Sequence, residues 1–540
     1  NNVNVTVESD NTLDNIGTIS MDDNSRLTVA SGATVSNAGT IQGTVDGTVS
    51  QYAARTNGVG YTTLQGAIDA TTNSTIILLK NVDENVTIPT GSNITLDLNG
   101  FTLNGGTASG KAALTNYGTV VIRDSSKDQS GTIKRAENGE TSAYYVLDNH
   151  GVMSIESGNI YNNSGDNKNG ASLVRNIGTN SSLATLNISG GTLQQDNFIA
   201  VKNDDYGTLN ISGGKIISKN NQAVQNWNEA EITGGQMTGN VITWSYTEVP
   251  NNAKMEISGG LIDGSVQSIN YYSNGSYGPA PQVQISENAS ITGSLGTYTY
   301  NNGVQIPVKD GQALITVTGG QFGNPVDEYY LDESLNAQLK SASNLETPYS
   351  YYTSLKAAVA AAEPGDVVSV ITQDPDTQTY TAILDYNDGQ TAQVTYVVTA
   401  NTLITLPTPT REGYRFDGWY EGSKRVDSPY TVATNVTLTA HWDRISSGGA
   451  SHPEAGSSSS SSDRYQIDKP SNVENGSIKV SDSKAQKGDT VTITVTPDEG
   501  YELDKLAVYD EDGDEIDLKD KGDGKFTFEM PKGDVEIEVS

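Results

Sequence analysis

The sequence predicts an all-β protein, built mainly as a right-handed parallel β-helix and followed by two small β-rich modules. The first observation behind this prediction is a recurring phrase in which an alternating apolar segment precedes a small residue and glycines. It occurs as LNISGG at 186–191 and 209–214, EITGG at 231–235, MEISGG at 255–260 and VTGG at 317–320, with weaker copies at 153–158 and 283–288. Successive copies end 33, 23, 21, 25, 28 and 32 residues apart (at 158, 191, 214, 235, 260, 288 and 320). A repeat of this length is typical of a solenoid.

A second repeat runs out of phase with the first and consists of an apolar residue, a variable residue and asparagine. Its copies end at Asn116, Asn149, Asn176, Asn203 and Asn226, and the polar residues Thr243, Ser268 and Thr297 continue the series. Because asparagine tolerates the left-handed backbone conformation, we expect it to form the same sharp corner in every coil. Stacked asparagines also exchange side-chain hydrogen bonds along the stack.

The segments between these corners are short, alternate in polarity and favour Ile, Val, Leu and Thr, as at 185–188 and 208–211. Such alternation with a period of two indicates strands, and no helical period of 3.6 interrupts them. The solenoid is therefore predicted to be a parallel β-helix rather than a leucine-rich or ankyrin array. The general rule for parallel crossovers predicts that it is right-handed.

Two segments precede the regular coils. Residues 1–50 contain short strands separated by glycine and asparagine turns, which predicts either leading coils or a separate β segment. The main β-helix is assigned to 51–345, and it begins with a helical stretch in which Leu64, Ala67 and Ile68 share one face. A helix at this point would cap the apolar end of the first coil.

A connector assigned to 346–378 follows the coils. It contains a second helix-like stretch at 354–371, which Pro364 and Gly365 end. We interpret this stretch as a domain boundary, because the glycine phrase does not recur after it.

Composition excludes several classes of function. The 540 residues include 32 Lys and Arg against 65 Asp and Glu, which gives a net charge of −33. Such a charge repels phosphate backbones and anionic lipids, so we expect no nucleic-acid partner. The chain has no cysteine, and hence no disulfide, thiolate zinc site or cysteine nucleophile. No apolar run is long enough to cross a membrane, so no direct membrane insertion is expected.

We also expect no cofactor and no metal. The start at Asn1 suggests a mature or trimmed product whose anchor lies elsewhere.

An enzyme is the alternative that the β-helix raises, since this fold also hosts polysaccharide lyases and hydrolases. Asp204 and Asp205 lie beside Lys202 and could form a lyase-like calcium and base cluster, but no second carboxylate or arginine cluster is spaced to join them. A solvated turn is the other interpretation. Of the three histidines only His150 falls in the coils, and we interpret it as a surface stacking residue. We therefore predict no catalytic residues.

An acidic segment near the C-terminus resembles a calcium loop. In DEDGDEID at 510–517, Asp510, Asp512 and Asp514 alternate, but the glycine is displaced from its position in an EF-hand and no closing Glu is correctly placed. A hairpin turn is favoured.

Aromatic residues near the asparagine corners are the most suggestive feature for function. Tyr117, Trp227, Trp244 and Tyr298 each follow the corner position and are predicted to form an exposed strip along one face. Aromatic faces beside Asn and Asp acceptors suit sugar rings, and Tyr and Trp also anchor protein interfaces. Alternatively, the rings only cover the coil edges and stack on one another. Neighbouring loops add further tyrosines, including Tyr277 and Tyr300. The ligand-binding candidates chosen from the strip and loops are Tyr206, Trp227, Trp244, Tyr246, Tyr271, Tyr272 and Tyr298.

Residues 379–443 carry a different pattern, with YTAILDYNDGQ at 380–390, GYRFDGWY at 413–420 and TLTAHW at 437–442. This order of motifs resembles the Listeria–Bacteroides repeat, an internalin B-type repeat of bacterial surface proteins. The resemblance implies a small β-grasp-like module that acts as a spacer or protein-contact unit without catalysis. Trp419 and Trp442 are expected in its core.

The last two segments complete the chain. Residues 444–463 are rich in Gly and Ser and are predicted to be a flexible linker. Residues 464–540 contain TPDEGY at 496–501 and MPKGDV at 530–535, and they resemble the divergent B-repeat module. That resemblance implies a β-sandwich or β-grasp-like module in the stalk of a secreted or wall-attached protein, most often of a Gram-positive bacterium.

Together these features predict an extracellular protein of the bacterial cell surface or cell wall. The leading hypothesis is an adhesin that binds a host or environmental glycan or glycoprotein, such as a mucin or an immunoglobulin, through the aromatic face of about residues 200–300. The alternatives are a structural stalk or surface-lattice component that binds nothing, and a polysaccharide lyase or hydrolase. The oligomeric state is left open.

Overall fold

The computed structural model describes most of the chain. The described residues are 4–37, 39–106, 108, 110–135, 144–162, 172–195, 197–247, 253–371, 377–445, 464–469, 476–482, 484–497, 503, 505–510, 516, 518–521, 524–533 and 535–539. Strands are their main secondary structure and helices are few and short, which confirms the all-β prediction. The chain divides into two compact units, Asn1–Ser446 and Ser447–Ser540.

The first residues form coils with sheets of their own, in which short parallel strands stack at intervals of one coil. Their core is small and contains Val7, Leu27 and Val35. The side-chain amide of Asn15 donates to Oδ1 of Asn37 over 2.7 Å, as expected for stacked corners. The strands lie in three sheets: Asn4–Val7, Arg26–Val29 and Thr44–Asp46; Thr12–Asn15, Thr34–Asn37 and Val49–Gln51; Thr18–Ser20 and Thr40–Gln42.

Three strand ladders build the main coils, and each coil adds one strand to each ladder. Ladder 1 is parallel except at its start, where Ala54–Thr56 pairs antiparallel with Val59–Tyr61 and Asn73–Leu78. Identical residues face each other in register, as Leu186 faces Leu209. The remaining strands of ladder 1 are Asn93–Asp97, Thr119–Arg123, Val152–Ile155, Ala184–Ile188, Gly207–Ile211, Glu229–Ile232, Lys254–Ile257, Gln282–Ile285 and Leu314–Val317.

Ladder 2 follows the glycine corner of each coil, and ladder 3 ends at the asparagine corner. The strands of ladder 2 are Val82–Asp83, Thr102–Asn104, Thr132–Lys134, Asn159–Tyr161, Thr192–Gln194, Leu261–Asp263, Ser290–Ile291 and Gln321–Phe322. The strands of ladder 3 are Val86–Ile88, Leu114–Asn116, Leu147–Asn149, Val174–Asn176, Val201–Asn203, Val266–Ser273 and Leu295–Asn301. Two long strands, Lys215–Asn226 and Gln236–Ser245, run through both ladders. Two short strands, Ser276–Tyr277 and Val304–Pro307, form hairpins with the last strands of ladder 3. This parallel pairing at intervals of one coil is what a parallel β-helix requires, and its right-handed sense stays a prediction.

The glycine phrase forms a corner for two steric reasons. Its second glycine has a positive φ of 77°, 78°, 85°, 82° and 106° at Gly191, Gly214, Gly235, Gly260 and Gly320, a conformation that glycine adopts without steric cost. Its first glycine lies against the preceding coil. A Cβ atom at Gly190, Gly213, Gly234 or Gly259 would lie only 1.9, 2.2, 2.3 or 2.2 Å from a carbonyl oxygen of that coil.

The asparagine corner is stabilised by side chains. All five ladder asparagines are fully buried, and each Nδ2 donates to Oδ1 of the next asparagine over 2.7 to 2.8 Å, from Asn116 to Asn226. The predicted hydrogen-bonded stack is therefore confirmed. The predicted left-handed conformation is wrong, because none of the five has a positive φ. Instead, the side chains of Asn116, Asn149 and Asn226 accept the backbone N–H two residues later, over 3.1 to 3.3 Å.

A short helix, Leu64–Asp69, precedes the coils. Leu64, Ala67 and Ile68 are fully buried on the predicted face. Thr63 caps the helix by accepting the N–H of Gly66 over 3.1 Å. The inward side chains of the three ladders form one continuous hydrophobic core with this helix.

The sheet continues from the last coil into the following module. Gln321–Phe322 pairs with Tyr349–Tyr352, which pairs with Ala337–Lys340. The next strand, Val367–Val370, pairs with Ala337–Lys340 and with Val394–Thr399. The module itself adds Thr379–Asp385, Thr402–Ile404, Tyr414–Glu421, Lys424–Val426, Tyr430–Val432 and Val436–Arg444. The 3-10 helix Glu328–Tyr330 follows the last coil strand, and the helix Leu355–Ala361 lies in the connector.

The module has its own core, in which Trp419 is 3% exposed and Trp442 is partly buried. The second helix packs on this core through Leu355 and Ala358 rather than on the coils. The domain boundaries drawn from the sequence stay predictions. The predicted linker at 444–463 lies, except for its first two residues, outside the described residues.

The second unit contains two four-stranded sheets around a core that includes Val491, Ile493 and Val508. The first sheet is Lys484–Gln486, Arg464–Asp468, Val535–Val539 and Leu506–Asp510, and the second is Gly476–Val480, Thr490–Pro497, Lys525–Glu529 and Lys519–Asp520. The acidic segment at 510–517 lies, apart from Asp510 and Ile516, outside the described residues.

Candidate functional site

Five aromatic side chains form one contiguous cluster on the outside of the later coils. This aromatic patch consists of Trp227, Trp244, Tyr246, Tyr271 and Tyr300, all of them partly exposed. Trp227 and Trp244 follow the corner position in successive coils. Their ring centroids lie 5.5 Å apart with an interplanar angle of 21°, so the two rings stack along the coil axis.

The second part of the patch exists because two strands of ladder 3 run past the corner. Val266–Ser273 and Leu295–Asn301 pair in parallel, with Tyr271 opposite Tyr300. The two rings stack with centroids 5.3 Å apart and an angle of 19°. Trp244 meets Tyr300 edge-on at 5.7 Å and Tyr271 at 6.5 Å, which joins the two stacks.

Tyr246 connects the patch to an acidic turn. Its ring meets Trp227 edge-on, with centroids 5.2 Å apart and an angle of 83°. Its hydroxyl donates to Asp205, with oxygen distances of 3.2 Å and 3.4 Å to the two carboxylate atoms. Burial and the charge of Asp204 raise the pKa of Asp205, and the Tyr246 hydrogen bond and Lys202 offset this only in part.

The indole nitrogens of the patch have different environments. Nε1 of Trp227 donates to Oε1 of Gln225 over 3.0 Å, and Gln225 in turn donates to Gln222 over 2.9 Å. This chain of amides fixes the orientation of the Trp227 ring. Nε1 of Trp244 is buried without a hydrogen-bond partner in the described part of the chain. An unpaired buried N–H is unfavourable. The ring of Trp244 packs against those of Trp227, Tyr271 and Tyr300.

Three predicted candidates lie outside the patch. Tyr206 forms the turn with a φ of 56°. Tyr272 packs edge-on against Tyr277 at 5.0 Å in a hairpin. The ring of Tyr298 folds over Gly296, where a Cβ atom would lie 2.5 Å from it. Ligand binding by these three residues stays a prediction.

Tyr300 was not among the ligand-binding candidates chosen from the sequence, although it was assigned to a neighbouring loop. The tyrosine pair at 271 and 300 could have been found from the equal distance of both residues from Ser268 and Thr297 in the corner series. The predicted strip is also not continuous. Tyr117 stacks on His150 at 4.9 Å, and Ile177 and Asp204 follow the corner position in the two coils before Trp227.

A second group of polar side chains, not predicted from the sequence, lies two to three coils before Trp227, where the patch begins. Asp148 is 2% exposed. It accepts two hydrogen bonds of 2.8 Å from Arg175 and lies 3.3 Å from Nε2 of His150. Burial acts to raise the pKa of Asp148, but the hydrogen bonds from His150 and Arg175 and the charge of Arg175 outweigh it and lower the pKa. Arg175 also lies over the ring of Tyr145 at 4.3 Å.

The two aspartates considered for catalysis have separate partners. Asp204 pairs with Lys202 over 2.9 Å, and Asp205 accepts from Tyr246. Within the described ranges, no group of three or more His, Cys, Asp or Glu residues is arranged to hold a metal ion. The same ranges contain no helix that is long and apolar enough to cross a membrane. The patch offers flat apolar faces and amide and carboxylate groups, which bind ligands by stacking and hydrogen bonding.

Comparison with known proteins identifies the two modules that follow the coils. Residues 380–441 match the family model of the Listeria-Bacteroides repeat domain, and residues 469–540 match that of the divergent InlB B-repeat domain. Neither a curated protein nor a solved structure gives a significant match to the chain. The predicted repeat modules are thus confirmed. Repeats of this kind occur in extracellular surface proteins and are typical of structural or adhesion proteins rather than of enzymes.

Proposed function

We propose that this protein is a bacterial surface adhesin that binds a host or environmental glycan or glycoprotein through the aromatic patch. The observation that carries the proposal is the contiguity of five partly exposed Trp and Tyr rings on the outside of the coils. Trp and Tyr bury a large apolar area at low entropic cost and keep a polar atom available for hydrogen bonding. The two surface-protein repeats support an extracellular location for this surface. The proposal places it on the cell surface or in the cell wall of a Gram-positive bacterium.

The polar groups beside the rings suit a hydroxylated ligand. Gln222, Gln225 and Asp205 supply amide and carboxylate groups next to Trp227 and Tyr246. Stacking of a sugar ring on an aromatic face, together with such hydrogen bonds, fixes both the position and the orientation of a glycan. A glycoprotein such as a mucin or an immunoglobulin would present the same sugar rings and hydroxyl groups through its attached glycans.

A structural stalk is the second candidate, and the ring geometry is the observation that favours it. Trp227 covers one face of Trp244, and Tyr271 covers one face of Tyr300. Rings that stack on each other stabilise successive coils without any ligand. A stalk would bind nothing through this surface.

The experiment is to apply the full chain to a glycan array printed with mucins and immunoglobulins. The adhesin hypothesis predicts selective retention of one group of related glycans or glycoproteins. An array without a selective hit would contradict the adhesin and favour the stalk. New reducing ends or unsaturated products from acidic polysaccharides would instead indicate the lyase or hydrolase.

A further inference from the structure

The carboxylate of Asp205 lies beside the aromatic patch and has no cationic partner among the described residues. The neighbouring cation, Lys202, is already paired with Asp204 over 2.9 Å. Asp205 forms no ion pair among the residues that the structure describes, and its hydrogen-bond donor there is the Tyr246 hydroxyl. A partly buried carboxylate without a cationic partner attracts a positively charged group.

The surroundings of Asp205 support this assignment. Burial and the adjacent Asp204 raise its pKa, which shows that its negative charge is disfavoured where it stands. A bound cation would remove part of this cost, because it would supply the opposite charge that Lys202 gives to Asp204.

The rings next to Asp205 also favour a cation. Tyr246 bridges the carboxylate and Trp227, and it meets the Trp227 ring nearly at a right angle. The faces of Trp and Tyr are negative, and Trp is the strongest of the aromatic side chains in attracting an ammonium group. Asp205, Tyr246 and Trp227 therefore combine a carboxylate with two partly exposed aromatic rings.

We propose that the ligand of the aromatic patch is a glycan with a free, protonated amino group, held between Asp205 and the rings of Tyr246 and Trp227. This inference rests on the proposed glycan-binding function and narrows it to amino sugars. A sugar ring stacks on Trp227, and its ammonium group contacts Asp205. A fully N-acetylated or acidic glycan lacks that contact, and an acidic one is repelled by the carboxylate.

The test compares two tetrasaccharides of β-1,4-linked N-acetylglucosamine that differ in one acetyl group. One is fully acetylated and the other has a single free amine, so that only one charge is added. Binding to the full chain is measured by calorimetry at physiological ionic strength and at a pH where the amine is protonated and Asp205 is ionised. A peptide with a single lysine serves as a non-glycan ammonium probe.

The variants separate specific binding from general attraction to an acidic protein. Asp205→Asn removes the proposed contact, whereas Asp69→Asn removes one charge from the helix Leu64–Asp69 at the far end of the coils. We expect the wild type and Asp69→Asn to bind the amine at least tenfold more tightly than the acetylated form. In Asp205→Asn we expect that preference to fall below twofold.

Several results would overturn the inference. Equal binding of the two tetrasaccharides, binding of neither, or an unchanged preference in Asp205→Asn would each contradict it. If the lysine peptide bound more tightly than the tetrasaccharide with the free amine, the ligand would be a protein rather than an amino sugar. The glycan array tests the adhesin hypothesis separately. Selective binding of a neutral glycan on the array would support the proposed adhesin function but would contradict an amino sugar as the ligand.

Discussion

At the residue scale, the asparagine stack shows how a sequence repeat becomes structure. Each internal asparagine accepts from the preceding one, donates to the next and donates to a backbone carbonyl. The stack is predictable from the sequence, because identical polar residues recur at one position of each coil. The backbone conformation of the corner was not predictable, because a hydrogen bond to the Asn side chain, rather than a positive φ, stabilises the turn.

Replacing Asn176 by Asp tests this stack. Nδ2 of Asn176 donates to Asn203 over 2.7 Å and to the Thr208 carbonyl over 3.0 Å, and a carboxylate would face both acceptors without a proton to donate. We expect Asn176→Asp to lower the free energy of unfolding by at least ~2 kcal/mol. Asn24→Asp, the same change at an exposed turn, should lower it by less than ~0.5 kcal/mol. Equal effects in denaturant unfolding would show that the stack does not stabilise the coils.

The buried ion pair of Asp148 and Arg175 offers a second residue-scale prediction. Arg175→Ala leaves Asp148 buried without its main partner, so we expect a loss of about 3 kcal/mol in unfolding free energy. Arg26→Ala, at the exposed pair with Asp46, should cost less than ~1 kcal/mol.

The pH dependence of stability provides an independent check of that ion pair. The pKa of Asp148 is lowered in the folded state, so its stabilisation is complete above the unfolded value near 3.8 and is lost as the pH falls below it. Unfolding measurements should show a weaker loss between about pH 4 and pH 2 in Arg175→Ala than in the wild type. The same slope in both proteins would contradict the assigned pair.

At the scale of elements, the glycine corners and the ladders differ in how far the sequence predicts them. The corners were predictable, because a glycine pair ends each apolar triplet. The two long strands Lys215–Asn226 and Gln236–Ser245 were not, because they pair with each other across the connection between ladders 2 and 3, with shifts in register between Ile217 and Val224. Likewise, the extension of Val266–Ser273 past the corner, which creates half of the patch, follows from pairing between coils.

The steric role of the first glycine in each phrase is testable. Gly213→Ala places a Cβ atom 2.2 Å from the carbonyl oxygen of Ser189, so the two coils must separate. We expect a loss of at least ~2 kcal/mol in unfolding free energy. Gly17→Ala is the matched control, because nothing lies within 4 Å of its Cβ position. A similar stability of the two variants would mean that the close approach of the coils does not require glycine.

At the scale of the whole molecule, a long stack of coils presents the aromatic patch, and two surface-protein repeats follow it in the chain. The all-β class and both repeats followed from sequence patterns. The composition of the patch followed only in part. Trp227 and Trp244 were predicted from the asparagine corner, whereas Tyr300 depends on strand pairing and Tyr298 turns back over its own strand.

The most direct test of the adhesin is binding of the full-length double variant Trp227→Ala/Trp244→Ala to the ligand selected on the glycan array. Tyr117→Ala is the control, since Tyr117 also directly follows a corner position, stacks on His150 and lies outside the patch. We predict that the double variant loses at least ~2 kcal/mol of binding free energy, about 30-fold in affinity, while Tyr117→Ala binds like the wild type. Thermal unfolding confirms that each variant is folded. Unchanged binding by the folded double variant would contradict the assignment of the aromatic patch as the ligand site.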